Sequence, residues 1–151
     1  MVIYLDIEKI RKKFPDGFPV DQLPEGAKEE AIEVYRICRS GAVEEKSFLP
    51  TYLDPDMAHT KENEGDSDIG HYSLSTWWKK SEARNMLKFF RGKNPEAIVA
   101  FGTTDPSCGL SQRTKERTET KKSHVDWWLY EGAEPHTFFK AVDLSDVKRG
   151  E

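Results

Sequence analysis

Residues 123–130, with the sequence SHVDWWLY, constrain the fold of this chain more than any other segment. Their alternating pattern predicts a β-strand whose two faces differ in chemistry. One face carries Val125, Trp127 and Leu129 and is predicted to pack in a core. The other face carries His124, Asp126, Trp128 and Tyr130. Because a carboxylate and an imidazole are costly to bury, we expect this second face to border a cleft.

Two further segments have the pattern of amphipathic helices. Residues 6–14 and 75–90 repeat apolar side chains at spacings of three and four. Ser75 or Thr76 is predicted to cap the second helix, and Gly92 to end it. The predicted buried face of that helix consists of Ala83, Met86, Leu87 and Phe90.

The rest of the chain is predicted to form short strands, loops and one closing helix. The predicted strands are residues 31–39, 48–53, 70–75 and 97–101, with a start of the first at Glu33 left open because the preceding residues favour helix. In the first of them, Ile32, Val34, Arg36 and Cys38 share one face. Residues 111–122 are predicted to form a polar, locally basic loop, and residues 135–142 a helix with Phe138, Phe139 and Val142 turned inward.

These elements predict a single α+β domain over the 151 residues. Residues 1–30 form a predicted N-terminal helix and arm, and residues 31–142 the core. Residues 54–68 contain six carboxylates and one lysine, which favours a mobile acidic surface loop over a metal site. We therefore predict no bound metal.

Composition narrows the class of protein. The chain contains 17 aromatic residues (8 Phe, 5 Tyr and 4 Trp), which argues against disorder. Its net charge of -4 provides no global basic field for nucleic acid or anionic lipid. No apolar run reaches the ~20 residues of a membrane span, and no signal peptide is recognisable. A cytoplasmic location follows, in which Cys38 and Cys108 are expected to stay reduced, although one disulfide between them could form in principle.

Two short motifs could contribute to a binding site. Arg36 follows Tyr35 on a half-buried strand face, where a phosphate, a carboxylate or an internal salt bridge would satisfy its guanidinium. The hydroxyl groups of Tyr72, Ser73 and Ser75 cluster where a strand is predicted to enter a helix. Such a corner presents hydroxyls and free backbone N–H groups to a ligand, while capping alone would explain one of the hydroxyls.

Taken in chain order, these pieces resemble the ADP-ribosyltransferase fold of poly-ADP-ribose polymerases and bacterial mono-ADP-ribosylating toxins. That family has an aromatic–arginine or aromatic–histidine pair on its first core strand, then a serine- or tyrosine-containing strand followed by a helix, and a glutamate on a later strand. Here Tyr35 and Arg36 look like the first motif, residues 72–75 (YSLS) like the second, and Asp126 stands at the glutamate position. Residues 97–102 are similar to a core strand that typically ends in glycine. The resemblance covers residues 31–142.

The resemblance implies a split antiparallel sheet with flanking helices and NAD as the substrate. It implies that Asp126 stabilises the cation that develops on the ribose and that His124 accepts the proton of the incoming nucleophile. Arg36 would hold a phosphate, Ser73 would position the ribose, and Tyr72 or Tyr130 would stack on nicotinamide. The implied NAD-binding residues are Tyr35, Arg36, Tyr72, Ser73, Ser75 and Tyr130. Aspartate replaces the family's glutamate, and His124 replaces the glutamate or glutamine two residues upstream.

Three alternatives stay open at this point. The first is a relative that binds or hydrolyses NAD without transferring ADP-ribose. The second is a module for single-stranded nucleic acid, in which Trp127, Trp128 and Tyr130 stack on bases and residues 113–122 follow the phosphates. The third is a non-enzymatic interaction domain in which every motif is packing or capping. No motif identifies an acceptor for ADP-ribose.

Overall fold

The computed structural model describes residues 7–55, 69–118 and 123–144. These ranges contain two α-helices, α1 (Ile7–Lys13) and α2 (Lys80–Arg91). Loops and short 3-10 turns connect the helices and strands. The strands are β1 (Glu33–Cys38), β2 (Leu74–Trp77), β3 (Ile98–Thr103), β4 (Gly109–Arg113), β5 (His124–Leu129) and β6 (Phe139–Val142). The predicted α+β class is confirmed. No helix in the described ranges is long and apolar enough to cross a membrane.

The six strands form one antiparallel sheet in the order β4-β5-β2-β1-β3-β6. Strand β1 pairs with β3 along its whole length. Strand β1 joins β2, by contrast, through a single registered pair, Tyr35 with Trp77. The sheet therefore consists of two three-stranded halves, β4-β5-β2 and β1-β3-β6, that are joined weakly at the centre.

Side-chain alternation gives the sheet two differently packed faces. On one face, which we call the inner face, the buried residues of β1 and β5 join a single apolar cluster with Phe48 and Phe139. The opposite face, the helix face, is covered in two places. Helix α1 and the arm after it lie over Trp128 and Tyr130, and helix α2 packs over Trp77. The predicted division of β5 into two faces is confirmed, although both faces are covered.

The N-terminal arm is attached to the helix face by stacked aromatic rings. The rings of Phe14 and Phe18 stack at 4.3 Å between centroids, and Phe14 meets Tyr130 edge-on at 5.0 Å. Each buried phenylalanine contributes roughly 1.5–3 kcal/mol through the apolar area it removes from water. Backbone hydrogen bonds between Lys28 and Ser111 fix the end of the arm to the outer edge of β4.

The predicted closing helix at residues 135–142 is wrong. Residues Pro135–Phe138 form a 3-10 turn, and β6 then pairs with the free edge of β3. Phe139 is buried whereas Phe138 is 42% exposed, so the two rings do not share an inward face. The short apolar pattern fits either a helix or a strand, and the unpaired hydrogen-bonding groups along the edge of β3 favour the strand.

The predicted boundary between β2 and the following helix is also wrong. Residues Ile69–Tyr72 form a 3-10 turn, and α2 begins only at Lys80. Ser75 and Thr76 are strand residues rather than caps, because β5 offers them partners: Ser75 pairs with Asp126, and the Thr76 hydroxyl donates to the Val125 carbonyl at 3.0 Å. The buried face of α2 and its end at Gly92 agree with the prediction.

Three other predictions differ from the structure or lie outside it. The extended piece predicted at residues 48–53 is two 3-10 turns, Glu45–Phe48 and Thr51–Leu53. The loop predicted at residues 111–122 begins inside β4 and continues as the 3-10 turn Thr114–Glu116. Residues 119–122, and most of the acidic loop (56–68), lie outside the described residues.

The pairing of β3 with β6 makes a substitution at Gly102 costly. A Cβ atom there would lie 2.2 Å from the Phe138 carbonyl oxygen and 2.7 Å from the Phe139 ring. We expect Gly102→Ala to lower the free energy of unfolding by at least ~1–3 kcal/mol, as overpacking does, because a backbone oxygen and a buried ring cannot easily move away.

The control for Gly102→Ala is Gly92→Ala. Gly92 already has right-handed helical angles, so alanine there is expected to change stability by no more than ~1 kcal/mol. Denaturant unfolding measures both variants. Equal stability of the two would contradict the close approach of β3 and β6.

Candidate functional site

The carboxylate of Asp126 is the centre of a buried polar cluster on the helix face. Asp126 is 1% exposed. The Ser73 hydroxyl donates to its Oδ1 at 2.6 Å, and the Thr114 hydroxyl donates to its Oδ2 at 2.7 Å. Arg117 Nη2 also donates to Oδ2, at 2.6 Å. Three donors, one of them a cation, offset the desolvation of the carboxylate and hold it in one position.

Three adjacent strands position this cluster. Asp126 lies in the middle of β5, where it pairs with Ser75 of β2 on one side and Gln112 of β4 on the other. Ser73 comes immediately before β2, and Thr114 and Arg117 follow β4. The cluster therefore depends on the order and register of β4, β5 and β2.

His124 is the second titratable member of the cluster. Its Nδ1 lies 2.5 Å from Thr114 Oγ1 and 3.9 Å from Asp126 Oδ1. Its ring meets Trp77 edge-on, with the centroids 5.5 Å apart. The two predicted catalytic residues, Asp126 and His124, are thus brought together, with Thr114 between them.

Arg117 lies between the Asp126 carboxylate and solvent. Its side chain is 23% exposed, whereas Asp126, Ser73 and Thr114 are almost fully buried. A ligand that approached the cluster from this side would meet a guanidinium before it met the carboxylate. A guanidinium in such a position favours anionic groups, above all phosphate.

Arg36 does not join this cluster. Its neighbours Val34 and Cys38 belong to the inner-face cluster, so its side chain lies on the opposite face of the sheet from Asp126. Its Nε donates to the Ser47 carbonyl at 2.9 Å and its Nη1 to the Ser75 carbonyl at 3.0 Å. Burial lowers the pKa of this guanidinium, and the two carbonyls supply it with hydrogen bonds in place of the predicted phosphate or salt bridge.

The predicted aromatic and serine ligands are divided between other contacts. Tyr35 lies on the helix face but packs against Phe101, with ring centroids 4.8 Å apart, under α2. Tyr72 packs edge-on against Phe18 of the N-terminal arm, with ring centroids 5.7 Å apart. The Tyr130 hydroxyl donates to Glu29 at 3.1 Å, and burial together with that carboxylate raises its pKa. Ser75 is half-buried and pairs with Asp126 across the strands. Of the six predicted NAD-binding residues, Ser73 and Ser75 are therefore the two that contact or pair with Asp126.

The tryptophans of β5 are closed to a stacking partner. Trp127 and Trp128 are both 0% exposed, the first in the inner-face cluster and the second under the N-terminal arm. A base cannot stack on either ring without unpacking the core. Arg113 and Arg117, from the predicted basic loop, meet Glu30 and Asp126.

Both cysteines are free thiols inside the fold. Burial raises the pKa of Cys38 to about 11 and also raises the pKa of Cys108. Because the thiolate is the nucleophilic form, neither side chain offers reactive cysteine chemistry. No group of three or more His, Cys, Asp or Glu within the described ranges could hold a metal ion.

Sequence reasoning missed Thr114 and Arg117 as members of the site. Both lie in residues 111–122, for which the sequence predicts a polar, locally basic loop, and neither belongs to a recognisable motif. One signal could have pointed to Arg117: a carboxylate on a strand as apolar as β5 needs a cation or several donors when it is buried. Comparison of the chain with protein-family models, curated proteins and solved structures found no match.

Proposed function

We propose that this protein is a cytoplasmic ADP-ribosyltransferase-like domain that binds NAD and transfers its ADP-ribose to a nucleophilic acceptor. Asp126 is the proposed catalytic carboxylate. One observation carries the proposal. The carboxylate on β5 is held directly by Ser73, and it lies beside Ser75 on the neighbouring strand. The serine motif and the acidic residue, 53 residues apart in the chain, are thus in direct contact, which supports the proposal.

The order of the elements supports the same fold family. The Tyr35–Arg36 pair lies on the first strand, the serine segment leads through β2 into α2, and Asp126 lies on the fifth strand. Strand β3 carries Gly102 near its end. The weak junction between β1 and β2 divides the sheet into two halves, in keeping with a split sheet.

The chemistry that this site would perform is cleavage of an N-glycosidic bond. Loss of nicotinamide leaves positive charge on the ribose, as in glycoside cleavage. A fixed carboxylate in a water-poor site stabilises that charge as it develops, and Asp126 is such a group. His124, bonded to the same cluster through Thr114, would accept the proton of the acceptor.

The phosphate-binding role passes from Arg36 to Arg117 in this proposal. Arg117 lies on the same face as Asp126 and reaches solvent, whereas Arg36 is turned to the opposite face. The two phosphates of a dinucleotide would share the Arg117 guanidinium with Asp126. Tyr72, which is half-buried on the Asp126 side, is the better placed of the two tyrosines to stack on nicotinamide.

The test is to incubate the purified protein with NAD and to measure both NAD binding by calorimetry and release of nicotinamide. We expect binding and release in the wild type. We also expect release to be at least ~100-fold slower in Asp126→Asn, because the stabilising charge is lost. Asp21→Asn, which changes a surface carboxylate paired with Arg11, is the matched control and keeps wild-type release. A wild type that neither binds NAD nor releases nicotinamide overturns the proposal.

Two arginine variants test the assignment of the phosphate site. Arg117→Ala is expected to weaken NAD binding about tenfold or more, since one charged hydrogen bond is worth ~1.5–3 kcal/mol. Arg36→Lys is expected to leave the affinity unchanged, provided that the variant is folded. If Arg36→Lys weakened NAD binding more than Arg117→Ala did, Arg36 would be the phosphate-binding residue.

The burial of Asp126 favours one second candidate, a non-enzymatic domain in which the cluster only stabilises the sheet. The Asp126 carboxylate accepts hydrogen bonds from Ser73, Thr114 and Arg117, three side chains from segments that flank β2 and β4. A wild type that is inert towards NAD, combined with a large loss of stability in Asp126 variants, is the result that would select this candidate.

A further inference from the structure

We propose that Thr114 is a positioning residue that holds His124 with its proton on Nδ1, so that Nε2 is the ring nitrogen that accepts a proton. The proposal rests on the position of the Thr114 hydroxyl, which lies between His124 and Asp126. Thr114 Oγ1 lies 2.5 Å from His124 Nδ1 and 2.7 Å from Asp126 Oδ2.

Counting the protons decides the direction of both hydrogen bonds. A threonine hydroxyl has one proton to donate, and an ionised carboxylate only accepts. Two oxygen atoms 2.7 Å apart need a proton between them, and here Thr114 must supply it to Asp126. The hydroxyl oxygen then has only lone pairs left for the imidazole. His124 Nδ1 must therefore carry the proton that joins it to Thr114.

The contacts of the Asp126 carboxylate agree with this assignment. Asp126 Oδ2 also accepts from the Arg117 guanidinium, which can only donate, so this carboxylate oxygen carries no proton of its own. Asp126 Oδ1 lies 3.9 Å from His124 Nδ1, so its negative charge also favours a proton on that nitrogen. The ring of His124 also meets Trp77 edge-on. Neutral histidine carries one ring proton, so Nε2 has the lone pair.

The catalytic consequence rests on the proposed function. When an acceptor attacks the anomeric carbon of the ribose, a bond forms from its nucleophilic atom to that carbon. The bond to nicotinamide breaks, and nicotinamide leaves with the electron pair. The acceptor's proton moves to His124 Nε2, and the resulting imidazolium keeps its Nδ1–H bond to Thr114. Asp126 stabilises that imidazolium through the Thr114 hydroxyl.

Nitrogen NMR of the labelled protein tests the tautomer without any substrate. The chain has four histidines, and comparison with His124→Gln assigns the signals of His124. Spectra are recorded at a pH well above the ordinary pKa of a histidine side chain. We expect Nδ1 to carry the proton in the wild type and in Thr114→Ser, which keeps the hydroxyl. Thr114→Val, which has a similar shape without the hydroxyl, is expected to lose that preference.

A wild-type spectrum with the proton on Nε2 overturns the inference, and it does so even if Thr114→Val does not fold. Under the proposed function, Thr114→Val is expected to transfer ADP-ribose ~100-fold more slowly, with rescue by Thr114→Ser. The two proposals fail separately. An Nδ1 proton without any nicotinamide release rejects only the function, and nicotinamide release with an Nε2 proton rejects only the role of Thr114.

Discussion

Replacement of Asp126 by alanine is expected to lower the free energy of unfolding by about 3–5 kcal/mol, the cost of breaking a buried ion pair by removing one partner. The variant leaves the Arg117 guanidinium without its carboxylate. It also leaves the buried hydroxyls of Ser73 and Thr114 without the acceptor they share. Urea unfolding followed by circular dichroism measures the change.

The matched control for Asp126→Ala is Asp21→Ala. Asp21 is also bonded to an arginine, Arg11, at 2.9 Å, but the two side chains are 75% and 47% exposed. Water screens such a pair, so its loss is expected to cost no more than ~1 kcal/mol. If the two variants lost equal stability, the Asp126 cluster would have to be open to solvent, contrary to the structure.

Replacement of Trp128 by alanine is expected to cost about 3–5 kcal/mol, the usual range for a buried aromatic residue. Trp128 is 0% exposed and lies between the sheet and the N-terminal arm. Its Nε1 donates to the Ile69 carbonyl at 2.9 Å, so the variant also loses this hydrogen bond. Denaturant unfolding gives the value. Trp78→Ala, at a residue that is 41% exposed, is the control, with a much smaller loss.

A pair of phenylalanine variants separates packing from hydrogen bonding. Trp127 is as buried as Trp128, but its Nε1 has no partner among the described residues. Trp127→Phe therefore removes an unpaired donor, whereas Trp128→Phe removes the hydrogen bond from Nε1 to the Ile69 carbonyl. We expect Trp128→Phe to be the less stable by ~0.5–1.5 kcal/mol, the net contribution of one hydrogen bond. The opposite order would contradict the position of Trp128 under the arm.

These stability effects bear on how activity measurements are interpreted. Asp126 is at once the proposed catalytic carboxylate and the centre of a hydrogen-bonded cluster. A loss of nicotinamide release in an Asp126 variant reports on chemistry only where the variant is folded. Asp126→Asn, which keeps an acceptor oxygen and the side-chain shape, is for that reason the variant of choice for activity. Asp126→Ala is the variant of choice for stability.

Much of the local structure could be predicted from the sequence because its pattern is strong. The alternation in residues 123–130 identified β5 and the two different faces of that strand. The spacing of Ala83 and Leu87 identified the buried face of α2. Apolar side chains recur at every second residue in β5 and at spacings of three and four in α2. Such a repeat specifies the type of element without information about the segment it packs against.

Where the local sequence pattern is weaker, the neighbouring strand determined the secondary structure. Residues 135–142 became a turn and an edge strand because β3 had a free edge to pair with. Ser75 and Thr76 became strand residues because β5 lay beside them. A helix and a strand differ little in free energy for such short apolar segments, so hydrogen bonds to a neighbouring strand determine the outcome.

The sequence by itself determined that Asp126 and His124 share a strand face and that Arg36 lies on the face of Val34 and Cys38. Only the tertiary structure decided that those two faces are opposite sides of one sheet, and that Arg117 rather than Arg36 reaches Asp126. The physical reason is that alternation fixes the face of a side chain only within its own strand. Which faces coincide between strands depends on their order, direction and register, and these arise from pairing between residues far apart in the chain.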